Sequence, residues 1–302
     1  MQMMMMCEYS FRVGGFVFSV SLPEAVALER LLPSFLPFLV EEPENEERLF
    51  SFRIVEEPIR VENKRFSWED TGSDVGNTRL YVFDGGLEVD LQYTPQGPMH
   101  RMWVNDVFSE AAAEVCWEDP WIVQVLTSLI RIVYAQAVLT RQAISVHASV
   151  VVKDQKAFLF MGKSGTGKST HSRLWLRSVP GCQLLNDDNP IVVMTDNGPW
   201  VFGSPWSGKT PCYENSQYPI EGIVRLQQAE RNRLVLCKDV EAFALLLPGC
   251  SVIRKEHRLV NALCSTLVRL VEQVRIGRME CRPDEEAARI CYQGLTRENK
   301  ER

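Results

Sequence analysis

The sequence predicts a mixed α/β protein in two parts: a strand-rich N-terminal module over residues 1–118 and a nucleotide-binding domain over residues 119–302, which includes a leading helix. Three observations carry this reading. A chain of 302 residues that is 45% hydrophobic and 24% charged can bury real cores, and at roughly 100–200 residues per domain it suggests about two of them. The first 118 residues read as short alternating runs separated by turn signals. From residue 119 onward strand-like runs alternate with helical patterns, and among them lies Gly162-Lys163-Ser164-Gly165-Thr166-Gly167-Lys168-Ser169, which has phosphate-loop spacing.

In the N-terminal module, residues 11–22 carry Phe and Val around Gly14-Gly15. Residues 49–55 alternate apolar and polar, and residues 78–94 contain Asp84-Gly85-Gly86 between two strand-like runs. The last of these predicts a hairpin, and together the runs predict an antiparallel sheet. The acidic stretch 41–47 reads as a solvated loop. Asp119-Pro120 then opens a helix reaching Thr140, with Ile122, Val125, Leu126, Leu129, Ile132 and Val133 recurring at three and four.

Residues 144–152 form a β-branched run, Asp154-Gln155-Lys156 a turn, and residues 157–161 a strand, so a hairpin enters the glycine-rich stretch. Residues 170–177 are compatible with a helix. Strands are predicted at 182–185, 191–194 and 222–226, a turn-rich segment at 199–211, and helices at 239–247, 261–273 and 283–294, the last with Pro early and Gly at its end.

Charge and cysteine usage exclude several classes. The net charge is −6 and the basic residues are scattered, which leaves no electrostatic footprint for nucleic acid. The apolar stretches at 34–40 and 243–247 are far shorter than the roughly 20 residues that cross a bilayer. The first seven residues lack a basic region followed by an apolar core. Nine cysteines with no C-x-x-C pair read as reduced, mostly buried thiols. The expectation is a cytoplasmic protein that binds neither nucleic acid nor membrane.

The chemistry resides in residues 162–169. Polyphosphate needs backbone N–H groups aimed into one concavity, and glycines permit the positive φ angles that build it. Lys163, Ser164, Thr166 and Thr170 complete the loop and the first helical turn. Lys168 supplies a point charge to the terminal phosphates, and the Ser169 hydroxyl is placed to ligate a magnesium ion bridging phosphate oxygens. Downstream, an apolar run ends in Asn186-Asp187-Asp188. One aspartate would hold the metal and the other accept a hydroxyl proton; in isolation the same residues read as a polar turn.

Two further residues are candidates on the acceptor side. His147 sits in the β-branched run, on the strand paired to the one that leads into Gly162, and reads either as a site residue or as a satisfied core histidine. Lys209, in Gly203-Ser204-Pro205-Trp206-Ser207-Gly208-Lys209-Thr210, reads either as a cation facing the transferred phosphoryl or as part of a connector docked by Trp206. His171 is expected to be a helix residue without a site role.

The loop at 162–169, His147 in Ser145-Val146-His147-Ala148-Ser149, and Asn186-Asp187-Asp188 together resemble the kinase domain of HPr serine kinase/phosphorylase. The same trio is similar to ATP-dependent phosphoenolpyruvate carboxykinase, whose nucleotide site shares that fold. The likeness covers roughly residues 140–295. It implies a mixed-sheet P-loop domain using ATP and Mg2+, with phosphoryl transfer to a Ser-like hydroxyl of a protein or small molecule. By matching positions, His147 corresponds to the family's site histidine, Asp187 and Asp188 to its aspartate pair, and Lys168 to its loop lysine. Asn186 departs from the alanine usual in HPr kinases, and their signature loop is replaced by residues 204–209. A nucleotide-sensing module without turnover and a carboxykinase-like lyase are the competing readings, and a homo-oligomer is left open.

Overall fold

The computed structural model describes residues 5–41, 46–57, 60–73, 76–208 and 210–296. The chain is mixed α/β and divides into two compact units, Met1–Val138 and Leu139–Arg302, each built on a nine-stranded sheet. The helix that the sequence assigned to the second part lies in the first unit.

The first unit runs β1 (Met6–Val13), β2 (Phe16–Pro23), α1 (Leu28–Leu31), β3 (Leu39–Val40), β4 (Arg48–Ile54), β5 (Arg65–Ser73), β6 (Gly76–Phe83), β7 (Gly86–Gln92), β8 (His100–Asn105), β9 (Glu110–Glu114) and α2 (Ile122–Ala137). Its strand order is β3-β1-β2-β4-β9-β8-β7-β6-β5. The hairpins at Gly14-Gly15 and Gly85-Gly86 form as the turn residues require, with φ of 59°, 83° and 89° at Gly14, Gly15 and Gly85. The sheet is mixed rather than antiparallel, because β4 runs parallel to both β2 and β9. The long connections on either side of β4 allow such crossovers. Of the acidic loop 41–47, residues 42–45 lie outside the described residues.

The helical run Ile122–Arg141 is 20 residues long with mean hydropathy 1.7, enough to cross a bilayer by length and composition, but 67% of it is buried. Val125, Leu126, Leu129, Ile130 and Val133 are fully buried, and the Tyr134 hydroxyl donates to the Val13 carbonyl at 2.9 Å. Its apolar length is that of a core helix. Upstream, Asp119 accepts the Trp121 N–H at 2.8 Å and pairs with the fully buried His100 at 2.9 Å. His100 Nδ1 accepts the Cys116 N–H, so the ring proton sits on Nε2 and the pair is a structural brace.

The second unit runs β10 (Ala143–Ser145), β11 (Ala148–Lys153), β12 (Lys156–Met161), α3 (Lys168–Ser178), β13 (Gln183–Asp188), β14 (Ile191–Thr195), β15 (Gly198–Phe202), β16 (Gln217–Gln228), β17 (Arg233–Cys237), α4 (Asp239–Leu246), α5 (His257–Gln273), β18 (Arg275–Cys281) and α6 (Glu285–Thr296). Strand β16 is the hinge of the sheet: its first residues pair with β15, and its remainder lies parallel to β12 on one side and β18 on the other. Beyond β12 the order continues through β11 to β13, both pairings antiparallel.

The predicted β-branched run 144–152 is two strands, not one. Ala143–Ser145 pairs with β14, whereas Ala148–Lys153 lies between β12 and β13. At the break the Val146 N–H donates to the Pro190 carbonyl and the His147 N–H to the Gly249 carbonyl. The predicted turn-rich segment also contains a strand, β15, because Trp200 and Val201 find ladder partners on β14 and β16.

Trp175 anchors α3. It is fully buried, 4.8 Å from the Phe158 ring and 5.1 Å from the Phe160 ring, both on the strand that leads into the glycine loop. The same core takes in Val224, Met279, Cys291 and Leu295, so the loop is held between two elements fixed by one hydrophobic cluster.

Candidate functional site

The glycine loop leaves β12 at Gly162 and turns into α3 at Lys168. Gly165 and Gly167 take φ of +78° and +107°, angles that a side chain would strain. The loop closes on itself through the Thr166 N–H and hydroxyl, both donated to the Lys163 carbonyl. A Cβ on Gly162 would come within 3.3 Å of the Thr166 side chain. Lys163, Ser164 and Gly165 form the exposed tip, and Ser169 and Thr170 are half-buried on the first turn of α3. The first N–H groups of a helix lack intrahelical acceptors and, with the helix dipole, form an anion site.

Strand β11 explains how distant residues converge here. Its first residue, Ala148, stands opposite Met161 on one neighbour and Asp188 on the other. His147, one position earlier, therefore reaches both the loop and the aspartates. The Lys168 ammonium donates to His147 Nε2 and, at 3.3 Å, to the Gly162 carbonyl. A lysine can only donate, so the ring is neutral with its proton on Nδ1, which lies 3.5 Å from Asp188 Oδ1. Asp188 Oδ2 accepts from the Asn189 amide at 2.6 Å.

Asp187 differs from its neighbour. It is 5% exposed, and neither carboxylate oxygen has a hydrogen-bond partner among the described residues. It stands opposite Ser149 in the ladder, so the two side chains share a face of the sheet. Ser149 Oγ is 2.6 Å from Ser172 Oγ, and Ser172 donates back to the Lys168 carbonyl. The Asp187 carboxylate is thus on the α3 side of the sheet. A buried carboxylate without partners costs several kcal/mol unless a cation or donor meets it.

Residues 203–208 lie along the end of β13. Ser207 bridges Asp188, the Gly208 N–H donates to the Asp187 carbonyl, and the Asn189 N–H donates to the Trp206 carbonyl. Trp206 is buried, as the connector reading requires, yet the segment also borders the aspartates. Lys209 lies outside the described residues. The sequence reading passed over Asn186, Asn189 and Ser204 as site-building residues; their only signal was Asn186 standing beside the aspartate pair.

Two other histidines, His100 and His171, are buried in structural hydrogen bonds. His171 is buried, accepts the Trp175 indole N–H at 3.1 Å and meets Phe160 edge-on. Burial lowers its pKa to about 4. The folded state therefore refuses a proton that the unfolded state takes up below about 6.5, and stability falls as pH drops between these values. Urea unfolding should show about 2 kcal/mol less stability at pH 5 than at pH 7.5 from this group, and His171→Gln should remove that part of the pH slope. An unchanged slope in the variant would contradict it.

All nine cysteines are free. Three are buried and six half-buried, fewer than the mostly buried set expected. Burial pushes Cys212 up to about 11 and Cys250 up to about 12, so neither is a thiolate nucleophile at neutral pH.

The donors present fit a magnesium ion. Among the described residues no three His, Cys, Asp or Glu side chains form a metal cage of their own. Magnesium in general needs no such cage: one or two carboxylates suffice, with phosphate oxygens and water as its other ligands. The unpartnered Asp187 carboxylate and the Ser169 hydroxyl supply that kind of partial set. No family model matches the chain, and no curated protein matches it.

Proposed function

We propose that this chain is an ATP-dependent phosphotransferase, HPr kinase-like in its second unit, which moves the γ-phosphoryl group to a hydroxyl of a protein or small molecule. The observation that carries the reading is Asp187: a buried carboxylate, both oxygens unpartnered among the described residues, on the α3 side of the sheet and next in sequence to the Asp188 that His147 faces. The run from β12 through the glycine loop to α3, with β12 between antiparallel β11 and parallel β16 and with β13 beyond β11, supports the P-loop fold that HPr kinase shares with phosphoenolpyruvate carboxykinase.

In this mechanism the loop N–H groups and the start of α3 bind the triphosphate. Lys168 exchanges His147 and the Gly162 carbonyl for phosphate oxygens. Ser169 and Asp187 would hold Mg2+, which when bound neutralises charge on the phosphates. Asp188 takes the proton from the acceptor hydroxyl, whose oxygen forms the new bond to phosphorus as the bond to the bridging oxygen breaks and ADP departs. His147 orients Asp188 through Nδ1–H. The cytoplasm is the compartment that fits, with reduced thiols.

Calorimetry with ATP and Mg2+ tests the reading, followed by ATP consumption with candidate hydroxyl acceptors. Magnesium-dependent binding and acceptor-dependent consumption are expected. Absence of magnesium-dependent binding of any nucleotide at millimolar concentration would overturn it. Binding without consumption for any acceptor would make the unit a sensor, and oxaloacetate-dependent release of carbon dioxide would make it a lyase.

A further inference from the structure

We infer that Asn186 is a positioning residue that fixes the aspartate pair to the 203–208 segment as one rigid piece, so that the aim of Asp187 and Asp188 depends on its amide. The inference rests on the phosphotransferase reading for its functional consequence, and on geometry alone for the coupling itself.

Strand β13 ends the path of its sheet, with β11 as its ladder neighbour. On its outer side its last residues are met by the 206–208 backbone, through the Gly208 N–H to the Asp187 carbonyl and the Asn189 N–H to the Trp206 carbonyl. The ladder also slips between Val150 and Val151, where Asn186 and Leu184 are the successive partners and Leu185 is extra. A bulge of this kind re-aims the side chains that follow it, here Asn186, Asp187 and Asp188.

Asn186 adds side-chain hydrogen bonds to that seam. It is fully buried. Its Oδ1 accepts the Asp188 N–H at 3.0 Å, a local turn contact that replaces a ladder bond. Its Nδ2 lies within donating distance of the Ser204 carbonyl at 3.3 Å, Ser204 Oγ at 3.2 Å and the Trp206 carbonyl at 3.3 Å. Ser204 Oγ passes its own proton to the Asn189 carbonyl at 2.7 Å. One amide thus joins the backbone of the second aspartate to the facing segment, and Ser204 closes the ring at Asn189, whose side chain holds Asp188 Oδ2.

Space allows no substitute at the seam. A Cβ on Gly208 would lie 2.8 Å from the Asp187 carbonyl. The segment approaches the strand as closely as a ladder neighbour, and the Asn186 amide fills the buried space between them.

Asn186→Ala in the full chain tests this with two readouts. Hydrogen exchange at the Asp188, Asn189 and Gly208 amides should quicken at least about tenfold, with the β1–β2 hairpin unchanged. The Mg2+ concentration that half-saturates ATP binding should rise about tenfold, while ATP binding without Mg2+ stays within about twofold. Unchanged exchange overturns the coupling. Faster exchange with an unchanged Mg2+ requirement overturns the positioning role and leaves a merely structural hydrogen bond. If the wild type binds no nucleotide, the phosphotransferase reading fails and the positioning role fails with it, whereas the exchange result still decides the coupling. Should Asn186→Ala not fold, Ser204→Ala removes one acceptor while keeping the contact from Asn186 to Asp188, and the same accelerated exchange at Asn189 and Gly208 is required of it.

Discussion

Lys168→Ala is expected to weaken ATP binding in the presence of Mg2+ about hundredfold, measured by calorimetry. The lysine is the cation that the structure places at the mouth of the loop, held by His147 Nε2 and the Gly162 carbonyl. Both partners are neutral, so exchanging them for charged phosphate oxygens is favourable. Alanine keeps the helix, since Lys168 is its first residue and Trp175 anchors it two turns on. The expected pattern is lost affinity with an unchanged thermal transition. Wild-type affinity in the variant would remove Lys168 from the site.

Asp187→Asn and Asp188→Asn should each lower phosphoryl transfer by about a thousandfold or more, but they should differ in stability. At Asp187 the wild-type protein buries a charge with no partner among the described residues. A neutral amide of the same shape removes that desolvation penalty, so Asp187→Asn should be more stable than wild type by about 1–2 kcal/mol without Mg2+. Adding Mg2+ with ATP should raise the melting temperature of the wild type and close that gap. At Asp188 the carboxylate already has Asn189 and His147 beside it, and its amide variant should show no such gain. Transfer at the wild-type rate in both variants would remove the aspartates from the mechanism. A destabilised Asp187→Asn would show that the carboxylate is satisfied in solution.

The sequence by itself determined what is local. Gly165 and Gly167 take the positive φ that favours glycine, and Lys168 opens the helix behind them, so the glycine loop between strand and helix was legible as a motif. The hairpins at Gly85-Gly86 and Asp154-Gln155 were legible because each is a short turn between β-rich runs, and both form. Helices α2 and α5 were legible from their 3.6-residue apolar repeat, and α6 from the Pro that precedes it.

Only the tertiary structure decided what depends on partners distant in sequence. The run 144–152 is rich in β-branched residues, yet it divides at Val146-His147 because its halves pair with different strands, and that division delivers His147 to Lys168 and Asp188. Likewise β18 lies against β16 and β17, although Arg275–Cys281 carries no clear alternation. Asn186 beside two aspartates looks like a polar turn until the 203–208 segment closes over it. Asp187 and Asp188 are adjacent and chemically alike, but the Asp187 carboxylate is buried without hydrogen-bond partners among the described residues, whereas Asp188 has Asn189 and His147 beside it. Strand pairing and burial are set by the whole chain, because a ladder bond forms or fails according to what lies opposite, and no local pattern records that.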